Sequence, residues 1–273
     1  MAASAATAPP LVLIHGMSAS ARSWDPVLDL LRSAREVHAV TLPGHRGGQR
    51  VHDRTAISSQ SYVDAVELEL DARGIETADL VGNSLGGWIA LQLAARGRAR
   101  SVVCLAPAGG WRAGGAYDRF LVAQFSVAHR ACKRLVLDRN ARLRTSALVK
   151  RLLLSGMVAR PDRVGAHAFE SIVRDVAFCE ALDIAIHDSG ARDVGEVPRL
   201  DCPVLLAWSQ RDRLLISNAS RRRLAQQIGN PEVLTLLGVG HVPMSDDPLL
   251  VASTILSFTG HSDGQELTRL GSA

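Results

Sequence analysis

The sequence predicts an α/β fold: a mostly parallel sheet with helices on both faces and an inserted all-helical segment. Short apolar runs bounded by Gly or Pro alternate with amphipathic stretches up to Ala106. That alternation is typical of a parallel sheet with crossover helices. The alternation of predicted strands and helices stops at Pro107 and resumes near Pro203. Ser, Asp and His side chains follow three of the predicted strands, at the edge where open parallel sheets place their sites.

Each predicted strand is a short apolar run that ends at a turn signal. The first of them, Leu11–Ile14, ends at His15-Gly16. The predicted strands span residues 11–14, 36–42, 78–82, 101–106, 203–208 and 232–237.

The predicted core helices place apolar residues on one face, as Val27 and Leu31 do in the first. They span residues 21–34, 61–73, 86–95, 217–227 and 248–258. Between the two halves of the core, helices are predicted over residues 117–137, 145–157 and 161–182. We therefore predict a discontinuous core of residues 11–106 and 199–260, a helical cap of residues 107–198, and flexible termini at residues 1–10 and 261–273.

Composition excludes several classes of protein. Hydrophobic residues make up 47% and charged residues 21% of the chain, which excludes disorder as the main state. The four cysteines are far apart and form no CxxC pair, which excludes a disulfide scaffold. The sequence has no apolar run long enough for a membrane helix and no signal-peptide pattern. We therefore expect a cytoplasmic protein without a stable membrane anchor.

The net charge of +4 is concentrated in the middle of the chain. Residues 107–195 hold 14 basic and 9 acidic side chains, and residues 130–151 hold eight basic residues and one acid, Asp138. Three interpretations remain open: a solvated helix face, steering of an anionic substrate, or contact with a membrane surface or partner. Aromatic residues do not interleave with these arginines, so a nucleic-acid groove is not expected.

The strongest chemical signal is the pentapeptide Gly82-Asn83-Ser84-Leu85-Gly86, between a predicted strand and a predicted helix. This G-x-S-x-G turn holds a serine hydroxyl clear of the sheet, and glycines allow the neighbouring chain to approach closely. The start of the following helix offers backbone N–H groups to an oxyanion. The pattern predicts a nucleophilic serine.

A serine hydroxyl needs a base, and the base needs an orienting carboxylate. Asp212 follows the strand at residues 203–208, and His241 follows the strand at residues 232–237. Along the chain these residues occur in the order Ser84, Asp212, His241. This is the order of nucleophile, orienting carboxylate and base in α/β folds that carry the G-x-S-x-G turn.

With these motifs the chain resembles the α/β-hydrolase superfamily, and in particular its serine-nucleophile members with a helical cap. The matching segments are residues 15–17, 42–45, 82–87, 208–212 and 240–241, in order. The resemblance implies that Ser84 is the nucleophile, His241 the general base and later acid, and Asp212 its orienter. It also implies an oxyanion hole made by the backbone N–H groups of Met17 and Leu85, and a short or missing N-terminal hairpin.

By this resemblance the expected function is hydrolysis of a small ester, thioester, lactone or related acyl compound through an acyl-enzyme, without a cofactor. The expected partner is a small acyl substrate, which the basic cap allows to be anionic. Alternatives that use the same triad are an acyltransferase, a carbon–carbon bond hydrolase and a cofactor-independent haloperoxidase-like enzyme. A non-enzymatic ligand receptor is a further alternative. Ser84 argues against the dehalogenases and epoxide hydrolases of this fold, which use Asp at the elbow.

Several further residues are assigned roles. Trp111, Phe120 and Met244 are predicted to line the substrate pocket. His15 is expected to shape the oxyanion loop, and His45 to be structural. Asp246 and Asp247 precede Pro248 and are expected to cap a helix. The nine histidines form no metal-binding pattern, so no metal site is predicted.

Overall fold

Six parallel strands form one sheet in the computed structural model, which describes residues 8–138 and 146–270. The strands are β1 (Leu11–Ile14), β2 (Val37–Val40), β3 (Ala78–Asn83), β4 (Ala99–Leu105), β5 (Val204–Ser209) and β6 (Glu232–Leu236). Their order across the sheet is β2-β1-β3-β4-β5-β6, and every neighbouring pair is parallel. Within the described residues no strand precedes β1, so the hairpin expected to be short or missing adds nothing to the sheet there.

The core helices cover both faces of the sheet. They are α1 (Asp25–Arg32), α2 (Ser59–Ala72), α3 (Leu85–Ala95), α8 (Asn218–Ile228), the short α9 (Pro243–Asp246) and α10 (Pro248–Leu270). Side chains of α2, α3 and α8 share one apolar cluster with one face of the strands. Side chains of α1 and α10 share a second cluster with the other face. The strands are continuous apolar runs because both of their faces are covered.

Between β4 and β5, the described residues 106–138 and 146–203 form four α-helices of the cap. These are α4 (Ala116–Leu137), α5 (Ala147–Leu154), α6 (Ala166–Ala177) and α7 (Glu180–His187). The sequence predicted one helix over residues 161–182, but the chain forms a 3₁₀ turn, Pro161–Arg163, followed by α6 and α7. The extended backbone at Gly165 and at Cys179 starts a new helix each time.

Hydrogen bonds tie the cap to the core at separate points. The Trp88 indole donates to the carbonyl of Gly195 at 3.0 Å, and the Ala181 N–H donates to the carbonyl of Gly44 at 3.0 Å. Arg46, in the loop after β2, pairs with the buried carboxylate of Asp175 on α6. These bonds hold the cap above the carboxyl ends of the strands.

The chain ends differ from expectation in one respect. The last helix, predicted over residues 248–258, continues to Leu270. Residues 1–7 and 271–273 of the predicted flexible termini, and residues 139–145 of the basic stretch, lie outside the described residues. Among the described helices, none combines the length and apolarity that a bilayer crossing requires.

Candidate active site

Ser84 lies on a strained turn between β3 and α3. Its φ is 55°, in the left-handed region, which side chains adopt only at a cost. A Cβ on Gly82 would lie 2.1 Å from the carbonyl oxygen of Gly86, and a Cβ on Gly86 would lie 2.1 Å from the carbonyl oxygen of Ile14. Only glycine fits at either position, so the close packing that the motif predicted is present around Ser84.

Asp212 and His241 meet across the ends of β5 and β6. His241 Nδ1 lies 2.9 Å from Asp212 Oδ2, and both side chains are buried. The other carboxylate oxygen of Asp212 accepts hydrogen bonds from the N–H groups of Leu214 and Leu215 at 2.8 and 2.9 Å. Burial opposes ionisation of Asp212, but His241 and these two N–H groups outweigh it and lower the pKa of the carboxyl. The carboxylate is therefore ionised at neutral pH and can orient the imidazole.

Asn83 is a site residue to which the sequence reasoning assigned no role. Its side-chain amide donates to the carbonyl of Leu105 and to the carbonyl of His241, each at 2.9 Å. It joins the turn that carries Ser84 to the loop that carries His241. The sequence contained one signal for this role: Asn83 places an amide at the end of a strand in which Asp79 is the other polar side chain.

The loop of residues 15–17, which is expected to supply an oxyanion donor, lies directly against Ser84. A Cβ on Gly16 would lie 3.0 Å from the Cβ of Ser84. The backbone of this loop is therefore packed tightly against the serine side chain. Leu85 is the first residue of α3, and the N–H groups of a first helical turn have no carbonyl partner within the helix. Met17 and Leu85 both border the cavity that contains Ser84.

His15 and His45 are both buried, and a ring nitrogen of each lies within hydrogen-bond distance of a backbone carbonyl, those of Gly16 and Pro43. His15 Nε2 accepts a hydrogen bond from the N–H of Leu42 at 3.0 Å, which leaves Nδ1 as the donor to the carbonyl of Gly16 at 2.8 Å. Burial and the neighbouring His45 lower the pKa of His15 to about 3. His15 is therefore neutral, and its two hydrogen bonds join the loop of residues 15–17 to the loop after β2.

Two cavities meet at Ser84. The inner chamber has a volume of about 80 Å³ and includes Leu85, Trp111 and Leu121 in its wall. The outer chamber has a volume of about 500 Å³ and includes His241 and Phe120. Four residues border both chambers: Met17, Ser84, Phe125 and Leu214. The cap thus divides the space above Ser84 into a small apolar compartment and a larger one that contains His241.

The pocket residues predicted from sequence fall in different places. Trp111 borders the inner chamber and Phe120 the outer chamber. Met244 borders neither of them. It is fully buried on α9 in the apolar cluster shared by α1 and α10. The short helix after His241 turns this side chain toward the far face of the sheet, so the expected place of Met244 in the pocket wall requires correction.

Asp246 and Asp247 differ in what they bind. Asp247 accepts a hydrogen bond from the N–H of Leu250 at 3.0 Å and caps α10, as expected. The carboxylate of Asp246 instead accepts from the N–H groups of Ala159, Arg160 and Gly240. Its partners lie in the cap and in the loop before His241, which helix capping did not predict.

No group of three or more His, Cys, Asp and Glu side chains in the described parts of the chain is arranged to hold a metal ion.

Comparison with known proteins identifies the family. The sequence profile of the alpha/beta hydrolase family matches residues 11–254. This chain belongs to the alpha/beta hydrolase family. The match covers the elbow at Ser84 and the loops that carry Asp212 and His241.

Two relatives of this chain carry the names of hydrolases. The chain is 35% identical over 211 residues to the epoxide hydrolase EphH of Mycobacterium tuberculosis, covering 74% of this chain and 95% of that protein. It is 30% identical over 211 residues to the pimeloyl-[acyl-carrier protein] methyl ester esterase of Neisseria meningitidis, covering 74% of this chain and 75% of that protein. These relatives support hydrolase activity.

Solved structures show the same fold. The enol-lactonase from Burkholderia xenovorans superimposes with a TM-score of 0.69 at 19% identity, covering 92% of this chain and 91% of that one. At this identity the similarity concerns the fold alone, and it agrees with the α/β architecture of this chain.

Proposed function

We propose that this chain is a serine hydrolase that cleaves a small carboxylic ester, or a related thioester or lactone, through an acyl-enzyme on Ser84. The observation that carries the proposal is the shared outer chamber: Ser84 and His241 both border it, and His241 Nδ1 is held by Asp212 at 2.9 Å. A serine, a base and an orienting carboxylate in this arrangement support acyl transfer to the serine.

In the proposed reaction, Ser84 Oγ attacks the substrate carbonyl carbon while His241 Nε2 takes the hydroxyl proton. Asp212 stabilises the imidazolium that forms. The oxyanion develops toward the backbone N–H groups of Leu85 and Met17. The tetrahedral intermediate collapses when the bond to the leaving group breaks and His241 returns the proton to it. Water, deprotonated by His241, then attacks the acyl-enzyme and releases the acid and Ser84.

The two chambers support one orientation of the substrate. His241 must protonate the leaving group, and it borders only the outer chamber. Leu85, whose N–H is a proposed oxyanion donor, borders only the inner chamber. The acyl group therefore enters the inner chamber and the alcohol or thiol occupies the outer one. The small inner volume favours a short apolar acyl group.

Hydrolysis of p-nitrophenyl esters from acetyl to dodecanoyl tests this proposal. We expect turnover by the wild type with a short-chain optimum, and loss of turnover in Ser84→Ala. The exposed Ser253 on α10 provides the control variant Ser253→Ala, which should keep full activity. Labelling with a fluorophosphonate, followed by peptide mass spectrometry, should place the adduct on Ser84. A folded protein that neither turns over an ester nor labels at Ser84 would refute the proposal.

Epoxide hydrolysis is a second candidate because the relative that is 35% identical carries that name. The serine in this chain disfavours it. Attack of Ser84 on an epoxide carbon would form an alkyl ether, which the triad cannot hydrolyse, whereas attack on a carbonyl forms an ester that it can. Styrene oxide distinguishes the two: steady diol formation that Ser84→Ala abolishes would favour the epoxide over the ester.

A further inference from the structure

The cap exposes large apolar side chains around the mouth of the outer chamber. Val127 on α4 is 61% exposed, and Leu148 and Leu152 on α5 are 66% and 65% exposed. Phe120 on α4 is also exposed. Phe120, Val127 and Leu152 border the outer chamber, and Leu148 lies one helical turn before Leu152. These four residues, Phe120, Val127, Leu148 and Leu152, are called the apolar rim below.

Exposed basic side chains continue from the apolar rim along both helices. Arg130 and Arg134 follow Val127 on α4 at spacings of three and seven residues, and Arg151 is adjacent to Leu152 on α5. All three arginines are exposed. Between Asp118 and Leu137, α4 has no acidic residue, and α5 has none. The parts of α4 and α5 that carry the rim therefore present apolar and positively charged side chains.

Single exposed leucines are ordinary on a protein surface, but a group of them rimmed by charge marks an interaction site. Here three members of the group line the chamber that contains Ser84 and His241. An occupant that packs firmly on the rim, such as a second copy of the chain, would close the mouth of that chamber. A lipid surface would cover the rim and still deliver apolar molecules to the chamber.

We propose that the apolar rim and its flanking arginines dock the cap reversibly on an anionic lipid surface. The rim enters the acyl boundary, and Arg130, Arg134 and Arg151 face lipid phosphates. The mouth of the outer chamber then opens toward the lipid. Delivery of an apolar ester from that surface rests on the proposed function, whereas the docking itself does not.

Vesicle flotation tests the docking with the Ser84→Ala protein, so that no lipid turnover changes the vesicles. The vesicles contain phosphatidylcholine alone or with about one third phosphatidylglycerol. The rim variant is Leu148→Ser with Leu152→Ser, and the charge variant is Arg130→Gln with Arg134→Gln. The control variants are Leu68→Ser on α2 and Leu249→Ser on α10, two core helices, where these side chains are 68% and 69% exposed.

We expect binding to the anionic vesicles and not to phosphatidylcholine alone. The rim variant should lose at least about tenfold in affinity, since each leucine removed takes apolar surface from the lipid. Each arginine removed should cost roughly fivefold, and both control variants should bind as the parent does.

Three outcomes would overturn the proposal. One is the absence of vesicle binding by the folded parent protein. Another is equal loss of binding in the rim and control variants. The third is a dimer in sedimentation that only the rim variant converts to monomer, which would assign the rim to a second copy of the chain. Because Ser84→Ala carries the assay, these outcomes are independent of whether the chain hydrolyses esters.

Discussion

The carboxylate of Asp246 accepts a hydrogen bond of 2.7 Å from the backbone N–H of Gly240, the residue before His241. The same carboxylate accepts from the N–H groups of Ala159 and Arg160 in the cap, at 2.8 and 2.9 Å. Asp246 is buried. A single carboxylate therefore joins a turn of the cap to the loop that carries the proposed base.

Asp246→Asn should disturb both segments. An amide keeps one acceptor oxygen, and its NH₂ group would face backbone N–H donors that need an acceptor. We expect the free energy of unfolding to fall by roughly 1–3 kcal/mol and kcat to fall because His241 shifts. Urea unfolding and ester kinetics measure the two effects. Asp247→Asn is the matched control, since Asn caps a helix as well as Asp does; equal behaviour of the two variants would contradict the prediction.

Asp212→Asn should lower kcat by about 10³- to 10⁴-fold with little change in KM. The lowered pKa of Asp212 keeps it as a carboxylate that accepts from His241 Nδ1. An amide offers no charge to the imidazolium and can stabilise the wrong tautomer. The exposed Asp201 provides the control variant Asp201→Asn. Retention of more than a tenth of the wild-type kcat by Asp212→Asn would argue against the assigned role of Asp212.

Ala185→Leu should shorten the preferred acyl chain. Ala185 is a buried wall residue of the inner chamber, and the added atoms would occupy part of its volume of about 80 Å³. Activity on the acetyl ester should persist while activity on longer acyl esters falls, as measured by kcat/KM across the ester series. Ala128→Leu, in the outer chamber, should leave acyl preference unchanged and reduce tolerance for bulky alcohols. The reverse pattern would mean that the substrate binds in the opposite orientation.

Gly86→Ala should destabilise the elbow. Its Cβ would lie 2.1 Å from the carbonyl oxygen of Ile14, a rigid backbone atom in a central strand. We expect a loss of about 3 kcal/mol or more in the free energy of unfolding. Gly195→Ala is the control, because nothing lies within 4 Å of its added Cβ. If chemical denaturation gave the two variants similar midpoints, the close approach of β1 to the elbow would be in question.

The buried histidines predict a loss of stability in acid. Burial lowers the pKa of His15 to about 3 and that of His45 to about 4, from an ordinary value of 6.5. As the pH falls, His15 and His45 are therefore protonated in the unfolded chain before they are protonated in the folded protein. The contribution of the two neutral histidines to the free energy of unfolding is complete above pH 6.5. It declines as the pH falls toward 4, by up to about 1.4 kcal/mol per pH unit for each histidine.

Urea unfolding at several pH values between 7 and about 4.5 measures this slope. In His45→Gln the slope of the free energy of unfolding against pH should be smaller than in the wild type by about 1.4 kcal/mol per pH unit, which corresponds to one proton. In His52→Gln, whose side chain is exposed in the wild type, the slope should not change. A slope in His45→Gln equal to that of the wild type would show that His45 does not stay neutral in the folded protein.

Much of the fold follows from residues that are close together in the sequence. Alternating apolar runs and helical faces predicted the six strands and the interruption at Pro107, because burial on both faces imposes a local pattern. The elbow at Ser84 was predictable because a steric requirement for glycine is local too. The break between α6 and α7 at Phe178–Cys179 was not, because the apolar pattern runs through it.

The order of the motifs by itself determined that Ser84, Asp212 and His241 lie at one edge of a parallel sheet, since parallel strands present their carboxyl ends together. Three features became visible only in the folded chain: the division of the space above Ser84 by the cap, the position of Met244 on the far side of the sheet, and the link from cap to core through Asp246. These features depend on how helices distant in sequence pack against the sheet. Such packing is the sum of many weak contacts, which no local pattern of residues records.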